Sequence, residues 1–325
     1  MHERRTKTSI GAGRDIICDD VQPAARLKFN CLDERGSMKA SKARVPQRKP
    51  KLGQHFLQDS SVGARIVEAL GDLSQTTVLE IGPGRGAITS MLVRRARRVI
   101  AVETDRVLAA QLRMNFSLTP NIEIIEGDIL AIDIDTLFGP KPGSTRPGME
   151  PEPERVRVVG NLPYFITSDI LLRLFEYRKY FESIVLMVQK EVGDRLAARP
   201  GSKEYGLLSA TAQLYSRIEK LFTVPPDAFS PPPKVNSAVV RLVLSPRLES
   251  LGVDEAEFIR FLKLSFGQKR KTLWNNLKTR YASGDLTRAM QRARVKPTIR
   301  AEALSLEQNA ALFRALGEPA SAQRA

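Results

Sequence analysis

The sequence predicts an α/β fold built on a parallel sheet, followed by a small all-helical C-terminal domain. Three observations carry this. From residue 61 onward short apolar strands alternate with helical segments, the spacing of βαβ units. A glycine-rich turn, Gly82-Pro-Gly-Arg-Gly86, stands at the end of the first buried strand. After Pro246 the pattern changes to helices only. With 325 residues, two domains are expected, an α/β domain over 52–246 and a helical domain over 247–325, behind a basic N-terminal extension over 1–51.

Taken in order, residues 61–70 read as a helix with Val62, Ile66, Val67 and Leu70 on one face. Residues 77–81 are a short buried strand, 88–97 a helix, 98–102 a second strand, 106–115 a helix and 122–125 a third strand ending in Glu126-Gly-Asp128. A Pro- and Gly-rich loop spans 139–153. The sheet pattern returns with a strand at 156–159, a helix at 168–176, a strand at 183–188 and a helix at 190–198. A late strand is predicted at 235–244, then helices at 254–266, 270–281 and 306–316.

Composition excludes several functions. Hydrophobic residues make up 42%, enough for a core, and no apolar run approaches the ~18 residues of a membrane span. Only two histidines (His2, His55) and two cysteines (Cys18, Cys31) are present, with no C-x-x-C, H-E-x-x-H or G-x-S-x-G. Zinc chemistry and a Ser-His-Asp hydrolase are therefore not supported, and no metal site is expected. A core without cysteine fits a reducing compartment, and a cytoplasmic location is expected. From Met1 to Leu52 there are 13 basic and 6 acidic side chains without an apolar segment, which reads as a mobile basic tail; Met38 is an alternative start.

The glycines of Gly82-x-Gly84-x-Gly86, between strand and helix, let the backbone turn tightly and approach a ligand. Glu103 ends the next strand, 21 residues after Gly82, where a carboxylate can accept two ribose hydroxyls. Asp128 ends the third strand and can accept an adenine amino group. Together they outline a nucleoside site. The dinucleotide motif G-x-G-x-x-G is broken at Ala87, and no G-K-[ST] follows.

Asn161-Leu-Pro-Tyr164 follows a valine-rich strand. An exocyclic adenine amine is a poor nucleophile because its lone pair is delocalised into the ring. Two acceptors, the Asn161 side-chain oxygen and a backbone carbonyl such as that of Leu162, can hold its N–H groups and favour a pyramidal nitrogen aimed at an electrophilic methyl. Pro163 fixes the backbone, and Tyr164 offers a face for an extruded base. Transfer from a sulfonium needs alignment and exclusion of water rather than a strong base.

In chain order, Gly53-Gln-His-Phe-Leu57, Leu79-Glu-Ile-Gly-Pro-Gly-Arg-Gly86, Val102-Glu103, Gly127-Asp128, Gly160-Asn-Leu-Pro-Tyr164, Gln189-Lys-Glu-Val192, Pro231-Pro-Pro-Lys-Val-Asn-Ser-Ala-Val-Val240 and Phe266-Gly-Gln-Lys-Arg-Lys-Thr272 resemble the bacterial small-subunit (16S) ribosomal RNA adenine N6,N6-dimethyltransferases, the KsgA/RsmA family. The resemblance runs from about Leu52 to Leu316. It implies a Rossmann-like domain with a seven-stranded sheet that binds S-adenosyl-L-methionine, and a helical C-terminal domain that helps to hold RNA. It also implies that His55 and Leu57 touch the methionine end of the cofactor, with Gly82 and Gly84 beneath it, Glu103 on its ribose, Asp128 on its adenine and Asn161 beside it. Asn161, Leu162, Pro163 and Tyr164 would meet the target base, with Phe229 stacking on its other side. The implied reaction is dimethylation of two adjacent adenosines in the 3′-terminal hairpin of 16S rRNA by a monomeric enzyme of ribosome biogenesis. The sequence departs from the family at His55, where asparagine is frequent, and at Phe165, where polar residues occur; its 139–153 loop is longer than usual.

Partners follow from charge. The chain carries +15, and between Arg260 and Arg300 twelve lysines and arginines face one acid, Asp285. Lys269-Arg270-Lys271, with Lys234 beside the triple proline, are the candidate phosphate contacts, and Trp274 is read as core rather than a base-stacking residue. Three rival readings are a large-subunit rRNA methyltransferase of the antibiotic-resistance type, a non-catalytic assembly factor, and an NAD-dependent oxidoreductase. The last gives no reason for Asn161-Leu-Pro-Tyr164 or for the charge.

Overall fold

Strand β2 (Thr77–Ile81) is buried along its whole length because it lies in the middle of a parallel sheet covered on both faces. The computed structural model describes residues 54–139 and 156–317; the expected basic tail and nearly all of the 139–153 loop lie outside them. β2 pairs in parallel with β3 (Arg98–Glu103) on one side and β5 (Val156–Asn161) on the other. β4 (Ile122–Glu126) extends the sheet beyond β3 and β6 (Phe181–Gln189) beyond β5, both in parallel. The order of the seven strands is completed by the antiparallel β9 (Ser237–Leu244) and β7 (Ser216–Val224), giving β4-β3-β2-β5-β6-β9-β7. Strand order reverses between β2 and β5, so their carboxyl ends border the crevice where α/β sheets bind ligands.

Alternation along the strands divides the core. Leu79 and Val158 belong to one apolar cluster, and their neighbours Val78 and Val159 to the other. The second cluster is closed by α1 (Ser60–Glu68), whose Val62, Ile66 and Val67 are buried, with Leu70 just beyond. Asp59 caps α1 by accepting from the N–H groups of Ser61 and Val62. In the same way Asp105 caps α3 (Arg106–Asn115) and Asp133 caps α4 (Ile134–Phe138). The first cluster runs from the sheet through α5 (Thr167–Glu176) and α7 (Leu207–Tyr215) into the C-terminal helices, where Phe258, Phe261, Leu277 and Leu286 are buried. These helices are α8 (Leu248–Leu251), α9 (Glu255–Ser265), α10 (Leu273–Leu277), α11 (Ser283–Arg292) and α12 (Leu306–Gly317), and the apolar core is continuous across Pro246.

Several elements differ from the sequence expectation. The helix expected at 88–97 is only α2 (Thr89–Leu92). The Asn121 amide donates to the carbonyls of Val93 and Ala96, satisfying them outside a helix and turning the chain back into β3. The helix expected at 270–281 is only α10, because Thr272 caps it by accepting from the N–H of Asn275. Lys269-Arg-Lys271 therefore occupies the turn between α9 and α10 rather than a helix shared with Trp274. Trp274 packs against the core, as expected. The helix expected at 190–198 ends earlier, as α6 (Lys190–Leu196). Helices α7 and α11 and strand β7 have no counterpart in the sequence reading. Two further strands, β1 (Phe56–Leu57) and β8 (Phe229–Ser230), pair antiparallel outside the main sheet and carry His55 to the mouth of the crevice.

Candidate active site

The turn after β2 needs glycine. Gly82 and Gly84 have φ of +67° and +59°, and a Cβ on Gly84 would come within 3.1 Å of the Phe56 ring. The Gly82 N–H donates to the Val102 carbonyl and holds the turn against β3. Around it lies a cleft of two lobes that share Gln54, Gly82, Glu103 and Pro163. The inner lobe, about 100 Å³, is lined by His55, Leu57, Glu80, Gly84, Asn161 and Tyr164. The outer lobe, about 350 Å³, is lined by Asp105, Asp128, Ile129, Leu130, Phe165 and Ile166.

Glu103 stands between the lobes and is 5% exposed. Its two carboxylate oxygens accept from the N–H of Gly84 at 2.9 Å and of Asp105 at 2.9 Å. Each oxygen keeps a further lone pair, so the group is fixed in place and can still receive a pair of hydroxyls. Asp128 lines the outer lobe, where one of its oxygens accepts from the Leu130 N–H.

Asn161 ends β5. Its Nδ2 donates to the His55 carbonyl at 3.0 Å, which turns Oδ1 toward the acceptor role expected of it. His55 is held in turn: its Nδ1 donates to the Pro231 carbonyl at 2.8 Å, and its ring stacks on Tyr164 with centroids 5.8 Å apart. The Tyr164 hydroxyl bonds Ser237 Oγ at 2.8 Å, and partial burial raises its pKa, offset in part by that bond. The Leu162 N–H donates to the Met187 carbonyl, while the Pro163 carbonyl accepts from the Ile166 N–H and the Thr167 hydroxyl. These bonds fix the whole Asn161–Tyr164 turn.

The remaining sequence candidates lie elsewhere. Phe229 is 3% exposed and packs in the core below the β1–β8 pair, among residues such as Leu57 and Val62, rather than lining either lobe. Lys234 is exposed in a shallow depression with Lys190 and Asn236. Lys269, Arg270 and Lys271 are exposed in the α9–α10 turn.

One residue escapes the sequence reading altogether. Glu80 in β2 is 2% exposed, lines the inner lobe, and its Oε2 has no hydrogen-bond partner. Burial pushes its pKa up to about 7, with the nearby Glu103 charge adding to the rise and Thr89 opposing it. Its position inside the motif Leu79-Glu-Ile-Gly was the available signal. A buried carboxylate with one unpaired oxygen beside the cleft suits a cofactor that carries an amino group, and the two lobes together, rather than the inner one alone, fit S-adenosylmethionine. Among the described residues no group of acids, histidines and cysteines could hold a metal ion, and no helix is long and apolar enough to cross a membrane.

The chain is similar to several known proteins. Ribosomal RNA small subunit methyltransferase A of Koribacter versatilis is 56% identical over 279 residues, spanning 86% of this chain and 98% of that protein. The protein of the same name from Acidobacterium capsulatum is 52% identical, spanning 82% and 91%. Among solved structures, a dimethyladenosine transferase from Plasmodium falciparum is similar with a TM-score of 0.64 at 25% identity, over 81% of this chain and 98% of that one. The 23S rRNA methyltransferase ErmE is similar with a TM-score of 0.60 at 29% identity, over 81% and 100%. The profile described as ribosomal RNA adenine dimethylase matches residues 45–318, which takes in the glycine turn, both strand-end carboxylates and the Asn-Leu-Pro-Tyr turn, and the chain belongs to that family of enzymes.

Proposed function

We propose that the chain uses S-adenosylmethionine to dimethylate N6 of two adjacent adenosines near the 3′ end of small-subunit rRNA, as a monomer in the cytoplasm. The observation that carries the reading is the anchored Asn161, whose amide nitrogen is committed to the His55 carbonyl while its oxygen stays available. The cofactor supplies an electrophilic methyl group when bound. His55, Leu57, Gly82 and Gly84 enclose its amino-acid end, Glu103 takes its ribose and Asp128 its adenine amine. Glu80 accepts from its amino group.

The chain's own task is alignment. Asn161 Oδ1 and the Leu162 carbonyl accept the two N–H groups of the target amine and draw its lone pair out of the ring. Tyr164 stacks on the base. It is braced by Ser237 on one side and the His55 ring on the other, so the platform is set before RNA arrives. Phe165, 74% exposed beside this platform, extends the apolar rim toward the neighbouring nucleotide. Lys234 and the Lys269–Lys271 turn contact phosphates.

The test uses radiolabelled S-adenosylmethionine with small and large ribosomal subunits from cells that lack the enzyme, followed by digestion to nucleosides. N6,N6-dimethyladenosine from small subunits alone is expected. Label in large-subunit RNA would instead support the resistance-type activity, and cofactor binding without label on either subunit would favour an assembly factor.

A further inference from the structure

Arg85 stands between Gly84 and Gly86 in the turn after β2, and the proposed reaction gives it no task. The Gly86 N–H donates to the Pro83 carbonyl at 2.9 Å, closing a four-residue turn with Arg85 at its third position. The residue is exposed and lines the inner lobe. Its guanidinium carbon lies 4.5 Å from the centroid of the Phe56 ring, which lines the same lobe. A guanidinium resting on a ring keeps its in-plane N–H groups available as donors. Among the described residues no carboxylate forms an ion pair with Arg85 and no acceptor takes a hydrogen bond from its side chain.

The charges around the lobe show what such a group can do. The lining holds two acids, Glu80 and Glu103, against one arginine and no lysine. Glu103 is engaged by the N–H groups of Gly84 and Asp105, while Glu80 is buried with Oε2 unpaired. The amino-acid end of S-adenosylmethionine carries an ammonium and a carboxylate on one carbon. Glu80 suits the ammonium. Without Arg85 the carboxylate would enter a lobe that holds two acids and no compensating charge, a juxtaposition that costs affinity. His55 does not supply the missing charge through Nδ1, which is committed to the Pro231 carbonyl. The planar fork of a guanidinium matches a carboxylate in both charge and shape.

We propose that Arg85 binds the carboxylate of the cofactor, with the Phe56 ring as its support. The lobe then recognises both charges of the amino-acid end, the ammonium at Glu80 and the carboxylate at Arg85. The inference rests on the S-adenosylmethionine reading above. It makes Arg85 a selecting group that favours the complete cofactor over analogues without the carboxylate.

The test compares two ligands on the full chain by titration calorimetry: S-adenosylmethionine and decarboxylated S-adenosylmethionine, which differs only in lacking the carboxylate. Wild type is expected to bind S-adenosylmethionine about tenfold tighter than the analogue or better, the effect of one hydrogen-bonded charge pair. Arg85→Met, which keeps an apolar stem against Phe56, is expected to lose most of that preference by weakening S-adenosylmethionine and not the analogue. Arg85→Lys is expected to keep part of it. The same preference in wild type and Arg85→Met, or a parallel loss for both ligands, would overturn the proposal. So would a raised KM for small subunits with cofactor affinity unchanged, which would put Arg85 on RNA instead. If wild type binds neither ligand, the S-adenosylmethionine reading itself fails and Arg85's role with it. If wild type binds S-adenosylmethionine without preferring it to the analogue, only the assignment of Arg85 fails.

Discussion

Asn161 and Glu80 differ in how openly the sequence declares them. Asn161, Tyr164, Glu103 and Asp128 are legible because each is a polar side chain at or just beyond the end of an apolar strand, where a structural reason for it is hard to find. Glu80 is the one charged residue of a buried five-residue strand, but only the structure shows that it lines the cleft. Phe229 shows the converse limit: the family resemblance implies a base platform there, yet pairing with Leu57 draws it into the core. Asn161→Ala is expected to leave cofactor affinity nearly unchanged and to lower methyl transfer by about 10²-fold or more, read in single-turnover assays. Glu80 has a folded pKa of about 7 against an ordinary value of 4.5, so the folded protein holds its proton more tightly. Stability of the free protein should therefore fall as pH rises from about 4.5 to about 7 and level off above. Glu80→Gln should remove that slope, raising stability at pH 8 by about 3 kcal/mol relative to wild type with little change at pH 4. Urea melts of both proteins at the two pH values check it; the same pH dependence in wild type and variant would show that Glu80 is not the source.

A single buried face made some elements readable, and its absence hid others. Helix α1 follows its apolar stripe, whereas α7 buries Ser209, Ala210, Thr211, Ala212, Leu214 and Tyr215, so no stripe exists to be seen. Strand β7 alternates only weakly, since it is a sheet edge that carries Arg217, Glu219 and Lys220. Helix α2 stops early because of Asn121, a residue far away in sequence, which local periodicity cannot anticipate. Long-range side-chain bonds of this kind also join elements. Arg157 in β5 donates to the carbonyls of Leu70 and Asp72 beyond α1 and pairs with Glu182 in β6. Arg157→Met keeps the apolar stem but leaves both carbonyls without this donor, and is expected to cost about 2–3 kcal/mol in a denaturant melt. A loss below about 0.5 kcal/mol would mean that water replaces the guanidinium fully.

At the scale of the whole molecule, the excess of positive charge was visible in composition alone, but its placement was not. The triad Lys269-Arg-Lys271 projects from a turn that the sequence reading placed inside a helix. Reversing the three charges should weaken RNA binding and flatten its dependence on salt by about one unit of slope for each phosphate that is no longer neutralised, as measured by filter binding across a salt series. An unaltered slope would place the RNA on another face. The β1–β8 pair has a consequence for how the protein is made. Phe56 is matched with Ser230, and the carbonyl that anchors Asn161 belongs to the residue just before that pair. A chain still being synthesised can form β2, its glycine turn and the strand-end carboxylates long before residue 230 leaves the ribosome. It cannot close the wall that His55 provides. The cleft is therefore completed only after residues 229–231 have been made, late in the enzyme's own translation.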